Sequence, residues 1–217
     1  IVLANPPYSI KEWNREKFMN DKWGRNFLGT PSQGRADYAF IQHILASMND
    51  ENGRCAILLP HGILFRNEEK EVRTNLVKSD LLEAVIGLGP NLFYNAPMEA
   101  CILFCNKNKD RERKNRITFI NAVKEVTRKN AESYLEQHHI EKILHAFHSQ
   151  EDIEQFKLSI STDDIANKDF DLSIQKYVFI KDAEVEEISF SSAISRWLNS
   201  QKEVHVQYIT LMDLLSN

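Results

Sequence analysis

The chain alternates short, almost unbroken apolar runs with stretches in which apolar residues return every three or four positions. The runs are too short for buried helices and read as strands covered on both faces; the periodic stretches read as amphipathic helices. Apolar runs fall at 1–4, 55–59, 81–88, 100–105 and 117–120. Phe40, Ile41, Ile44, Leu45 and Met48 place a helix over about 38–49, with Asp37 in position to cap it. Asn67 is placed to cap a second helix near 68–78, whose first turn carries Glu68 and Glu69. A third helical pattern starts at about 131 with Leu135, Ile140, Ile143, Leu144 and Phe147, and two shorter ones lie near 188–199 and 206–215. The order strand-helix-strand-helix-strand, closed by a strand-loop-strand unit, predicts an α/β fold. It is a parallel sheet with an antiparallel edge, followed by a helical C-terminal region. The boundary is expected near 122, giving units of 1–122 and 123–217.

The net charge of −4 argues against a broad basic face that grips nucleic acid unaided. Basic residues are instead local. The segment 9–35 has no clean period, and Lys11, Arg15, Lys17, Lys22 and Arg25 alternate there with Trp13, Phe18, Trp23 and Phe27. That interleaving suits a DNA-binding lid; a packed connecting loop is the alternative. Lys107, Lys109, Arg111, Arg113, Lys114 and Arg116 cluster against Asp110 and Glu112, which reads as a solvated hairpin turn or a phosphate contact. Over 151–190 eleven acidic residues stand against four lysines, a solvated surface or a docking site for a basic partner. His145 and His148 share a helical face with His138 and His139 nearby, but no Cys, Asp or Glu completes a ligand set, so no metal is expected. Three cysteines without a close pair read as reduced thiols in the cytoplasm, with Cys101 and Cys105 as core residues on one strand face. No apolar run approaches the ~20 residues of a membrane span, so no membrane contact is expected. The chain opens on Ile inside a strand, and the expectation is a C-terminal part of something longer.

The first run carries the candidate chemistry. It ends at Asn5-Pro6-Pro7-Tyr8, because two consecutive prolines cannot donate to a ladder. Each residue before a proline is pushed to extended geometry, so Asn5 and Pro6 are held stiffly at the C-terminal end of a parallel strand. Ligands of open α/β sheets bind at such ends. An aromatic exocyclic amine is a poor nucleophile because its lone pair is delocalised into the ring. The Asn5 side-chain oxygen and the Pro6 carbonyl are placed to accept one amine hydrogen each and so steer the lone pair outward. Tyr8 offers a face for an unstacked base, worth ~1–3 kcal/mol. An ordinary strand end followed by a Pro-Pro turn is the plainer alternative.

With these residues in view, the chain resembles a known family. Asn5-Pro6-Pro7-Tyr8 looks like the fourth motif of adenine-N6 DNA methyltransferases. The stretches Gly53-Arg54-Cys55-Ala56-Ile57-Leu58-Leu59-Pro60-His61-Gly62-Ile63-Leu64-Phe65 and Leu82-Glu83-Ala84-Val85-Ile86-Gly87-Leu88 resemble the modification subunit of type I restriction-modification systems. So do Asn91-Leu92-Phe93-Tyr94, Ala100-Cys101-Ile102-Leu103, Asn106-Lys107 and Asp169-Phe170-Asp171-Leu172-Ser173-Ile174-Gln175-Lys176-Tyr177. The resemblance implies a Rossmann-like sheet, with residues 1–122 as the C-terminal half of its catalytic domain and 123–217 as a region for partner docking. It implies a site-specific adenine DNA methyltransferase, with S-adenosylmethionine as cofactor and Asn5, Pro6, Pro7 and Tyr8 as the catalytic motif. The family's glycine-rich loop precedes this motif, so Asn5 is the one cofactor contact expected here and the rest is expected upstream of Ile1. The implied partners are DNA with a flipped adenine, a DNA-specificity subunit and a restriction subunit. Two alternatives stand beside this reading: a non-catalytic assembly module, and a glutamine-N5 methyltransferase acting on protein.

Overall fold

The computed structural model describes residues 1–93, 98–129 and 132–179, together with residues 194, 197, 198 and 201. Residues 1–180 form one compact unit, Ile1–Ile180, and Lys181–Asn217 form a second. The four described residues of the second unit are helical, and the helical patterns near 188–199 and 206–215 otherwise lie outside the described residues.

The first unit is built on a six-stranded mixed sheet. Strand β1 (Val2–Ala4) runs parallel to β2 (Arg54–Pro60), pairing Val2 with Cys55 and Ala4 with Ile57. The helix α2 (Asp37–Ser47) covers this crossover, and a shorter helix α1 (Arg15–Met19) lies in the connecting loop. A turn of 3-10 helix (Asn67–Glu69) leads into α3 (Lys70–Lys78) and then β3 (Leu82–Leu88). Strand β4 (Ala100–Asn106) follows, then β5 (Arg116–Ala122) parallel to β3. A small hairpin of β6 (Thr127–Lys129) and β7 (Glu132–Tyr134) precedes α4 (Gln137–His148), β8 (Lys157–Ser161) and α5 (Thr162–Ala166).

The sheet order β1-β2-β4-β3-β5-β8 bears on two expectations. The antiparallel edge expected of the sheet is present as β8, whereas β4, from the strand-loop-strand unit, lies inside the sheet, antiparallel to both β2 and β3. Its composition explains the position: Cys101, Leu103 and Cys105 are apolar toward one face, and Ile102 and Phe104 toward the other. A strand apolar on both faces gains most where both are covered. The second expectation, a boundary at 122, is corrected. The edge strand β8 pairs with β5 from Ile120–Lys157 to Arg116–Ser161, so the sheet continues well past 122. Its sequence, Lys-Leu-Ser-Ile-Ser, has the polar alternation of a half-covered edge and no apolar run.

Helices lie on both faces of this sheet. On one, Cys55, Ile57, Leu59, Leu103 and Val85 join Tyr38, Ile41, Leu45, Val72 and Leu76 in the larger core. On the other, Ile86, Leu88 and Ile120 pack with Ile143, Ala146 and Phe156. The second face thins toward β1, where Leu58 and Ile102 are only partly buried and Leu3 is 80% exposed.

Candidate active site

Because β1 and β2 are parallel, their C-terminal ends lie side by side, and Asn5-Pro6-Pro7-Tyr8 leaves the sheet beside the 3-10 turn His61–Leu64 that follows β2. Asn5 is exposed and Pro6 is buried. Among the described residues no hydrogen bond engages the Asn5 carboxamide, so both of its polar atoms are available to a ligand. Asn5 also stands at the rim of a shallow groove of about 320 Å³ lined by Leu3, Ala4, Ala56, Leu58 and Ile102. Tyr8 is half-buried. Burial first, then the neighbouring Cys101 and Asp37, hold its hydroxyl above the ordinary phenol range, so it stays protonated at neutral pH.

The turn after Tyr8 is held from a distance. Ser9 adopts a left-handed backbone (φ 52°), unusual for a residue with a side chain, and donates its N–H to Asp37 Oδ1 at 2.8 Å. Asp37 thus corrects another expectation. The N-cap of α2 is Ala36, and the Asp37 carboxylate, in the first turn, is turned away toward Ser9 and Arg66. Arg66 Nη1 reaches Asp37 Oδ2 at 3.2 Å and Glu69 Oε2 at 3.3 Å. Its guanidinium passes over Gly62, where an added Cβ would lie 2.6 Å from Nε, so the glycine of Pro60-His61-Gly62 clears the path. Asn67, expected as a cap, starts the 3-10 turn and makes no side-chain cap; Glu69 is the N-cap of α3.

Glu69 is fully buried, and its Oε1 has no partner. Burial raises its carboxyl to about 7, against the lowering effect of Arg66. Arg73, also buried, donates to the carbonyls of Arg66 at 2.8 Å and Phe170 at 2.9 Å, and Tyr38 donates its hydroxyl to Ile63 O at 3.1 Å. Tyr38 thus holds the turn after β2, and Arg73 ties Arg66, just beyond it, to Phe170. His61 is driven toward its neutral form by burial, with Glu99 3.8 Å away as the opposing influence.

The segment after Ser9 is bound into a defined shape. Trp13 Nε1 donates to Gln33 O at 2.9 Å, and Gln33 Nε2 returns bonds to Lys11 O at 3.2 Å and Trp13 O at 3.1 Å. Of the five basic residues expected at DNA, Arg15 Nε is engaged by Pro31 O at 2.8 Å, and Arg25 is paired closely with Asp21. Lys22 lies over the Trp23 ring, 4.7 Å from its centroid. The side chains of Lys11 and Lys17 carry no described ion pair. Part of the other basic cluster is paired within the chain: Lys107 meets Asp50, Lys109 meets Asp80 at 2.6 Å, and Arg113 meets Glu83 at 2.9 Å, while Arg111 and Lys114 are exposed. Among the described residues of the acidic stretch, Asp164 accepts from Ser161, Asp169 pairs with Lys70 and Asp171 pairs with Lys176.

Among the described residues no group of His, Cys, Asp and Glu is arranged to hold a metal. His139 instead accepts the Glu136 N–H at the start of α4. Cys55, Cys101 and Cys105 are free and buried. No described helix is long and apolar enough to cross a membrane.

A mixed sheet with helices on both faces and a carboxamide standing at a parallel strand end is an architecture this chain shares with a solved methyltransferase subunit. Residues 1–186 match the family model described as N-6 DNA Methylase, and the chain belongs to that family. It is 32% identical to the type I restriction enzyme MjaVII methylase subunit of Methanocaldococcus jannaschii, over 93% of this chain and 36% of that protein. It is 34% identical to the MpnII methylase subunit of Mycoplasma pneumoniae, over 95% of this chain and 38% of that one. The crystal structure of a type I restriction-modification methyltransferase subunit from Streptococcus thermophilus superposes with a TM-score of 0.75 at 37% identity, covering 82% of this chain and 37% of that one. The chain therefore spans well under half the length of these relatives.

Proposed function

We propose that this chain supplies the target-base side of a site-specific adenine-N6 DNA methyltransferase, the modification subunit of a type I restriction-modification complex in the cytoplasm. The observation that carries the reading is the free Asn5 carboxamide at the end of β1, with half-buried Tyr8 beside it. The Asn5 oxygen and the Pro6 carbonyl accept the two hydrogens of an adenine amine and direct its lone pair away from the ring. Tyr8 takes the face of a base extruded from the duplex, an extrusion costing a few kcal/mol. S-adenosylmethionine, when bound, supplies an electrophilic methyl group to that amine. Asn5 fits one side of such a cofactor. None of the described residues forms a glycine-rich turn from strand to helix, and Asn5 is the residue of this chain assigned to the cofactor.

DNA is the proposed substrate, reached through the basic and aromatic segment after Ser9, with Lys11, Lys17 and Lys22 as phosphate contacts. A specificity subunit and a restriction subunit are the proposed partners. A second reading, an assembly module without catalysis of its own, draws on the open apolar groove at Leu3, Ala56, Leu58 and Ile102. One assay separates the two: transfer of labelled methyl from S-adenosylmethionine to adenine-containing duplex, with the chain inside a methylase subunit of its relatives' length. Asn5→Ala is expected to lower turnover by about 10²–10³-fold, the range for losing one preorganised polar contact, with DNA affinity nearly unchanged. Tyr8→Ala is expected to weaken capture of the flipped base instead. Near-normal turnover in Asn5→Ala would remove the catalytic reading and leave the assembly module.

A further inference from the structure

The loop that follows the Asn5–Tyr8 platform contains a built cleft of about 410 Å³, lined in part by Trp13, Lys17, Phe18, Lys22 and Trp23. Its walls are fixed by bonds made elsewhere. Trp13 is anchored through its indole to Gln33, Phe18 packs edge-on to Trp13 at 5.7 Å, and Asn26 holds Met19 O at 2.7 Å. Asp21, the cleft's one carboxylate, is spent on Arg25. Trp23 is different: the residue is 70% exposed, with the Lys22 ammonium over one face of its ring and the other face left for a stacked base. An exposed indole in a rigid cleft, flanked by lysines with no carboxylate on them, matches a flat aromatic ring that carries a phosphodiester. The charge agrees, since residues 9–35 hold six basic side chains against three acidic ones in a chain whose net charge is −4.

We propose that this cleft is a second base site, distinct from the Asn5–Tyr8 platform, which takes one unstacked nucleobase of the same DNA on Trp23 with its phosphates on Lys17 and Lys22. The proposal rests on the reading of DNA as substrate but not on the methyl-transfer chemistry.

The test uses the 217-residue chain and its tryptophan fluorescence, titrated with octathymidylate and with an abasic deoxyribose-phosphate oligomer of equal length. Octathymidylate is expected to quench the signal and to bind more tightly than the abasic oligomer. Trp23→Ala is expected to weaken octathymidylate binding about 5- to 150-fold and to leave abasic binding unchanged. Lys17→Gln with Lys22→Gln is expected to reduce the salt slope of log affinity by about 1.4, two phosphates at ~0.7 each. All three side chains lie at the surface of the cleft, and an unchanged melting temperature confirms folding. Equal affinity for the two oligomers, or no effect of Trp23→Ala, overturns the base site and gives the exposed ring to a protein neighbour. Thymidylate contains no adenine, and Asn5→Ala is expected to leave this binding intact. Loss of methyl transfer with retained Trp23-dependent binding therefore counts against the active-site reading alone.

Discussion

Replacing Asp37 by alanine tests whether the turn after the Asn5–Tyr8 motif is held from the start of α2. Two bonds are lost. The Ser9 N–H, locked in left-handed backbone, loses its acceptor at 2.8 Å, and Arg66 loses the nearer of its two carboxylates at 3.2 Å. A hydrogen bond to a charged group contributes about 1.5–3 kcal/mol, and breaking a buried ion pair from one side costs about 3–5 kcal/mol. These figures overlap, because both count the same carboxylate. Arg66 keeps Glu69 and part of its solvent contact, which puts the net loss at the lower end, about 3 kcal/mol. For a chain of this size that is a fall of roughly 6–12 °C in melting temperature. Asp37→Asn keeps an oxygen for Ser9 and loses only the charge, so it is expected to cost less than half as much. Thermal melts followed by circular dichroism rank the variants, and a cycle with Arg66→Met isolates the pair. A coupling of about 0.5–3 kcal/mol is expected between the two sites. Additive losses, or equal melting of Asp37→Ala and wild type, would show that the turn is held by the Pro-Pro sequence alone.

Glu69 and Leu3 give two further expectations. Folding raises the Glu69 carboxyl from 4.5 to about 7, so between those values the folded chain keeps a proton that the unfolded chain releases. Its contribution therefore falls as pH rises through that window, by up to about 3 kcal/mol, and stays lost above it. Glu69→Gln is expected to be the more stable protein at pH 8 and to lose its advantage toward pH 4.5; a difference independent of pH in denaturant titrations would refute this. Leu3 on β1 and Ile1 just before it are 80% and 97% exposed, and the strand pairs on one side only, with β2. Such an apolar edge recruits other strands, so the chain is expected to self-associate and Leu3→Lys to reduce the association. Light scattering across a dilution series checks it, and a monomeric wild type at the highest concentration would contradict it.

What could be read in advance, and what could not, follows from the range of the interactions. Strands β1, β2, β3 and β5 lie where short apolar runs put them, because burial on both faces demands apolar residues at consecutive positions. The end of β1 just before Asn5-Pro6-Pro7-Tyr8 was equally legible, since prolines act on their immediate neighbours. Sheet order was not. An apolar run such as 100–105 says that both faces are covered and nothing about which strands flank it, and β8 hid because an edge strand needs no such run. The supports of the site were illegible for a related reason. A carboxylate at the head of a helix satisfies the local rule for a cap, and Asp37 met that rule while its real partners, Ser9 and Arg66, lie 28 and 29 residues away. Gly62 gave a partial signal. A glycine just after a strand that ends in proline admits close approach, yet only the fold reveals that Arg66 is the group approaching. Arg66 in turn brings Glu69 into the same buried cluster, with one oxygen unpartnered. The motif residues are thus specified by their neighbours in sequence, whereas their positions are specified by a charge network that the chain assembles only on folding.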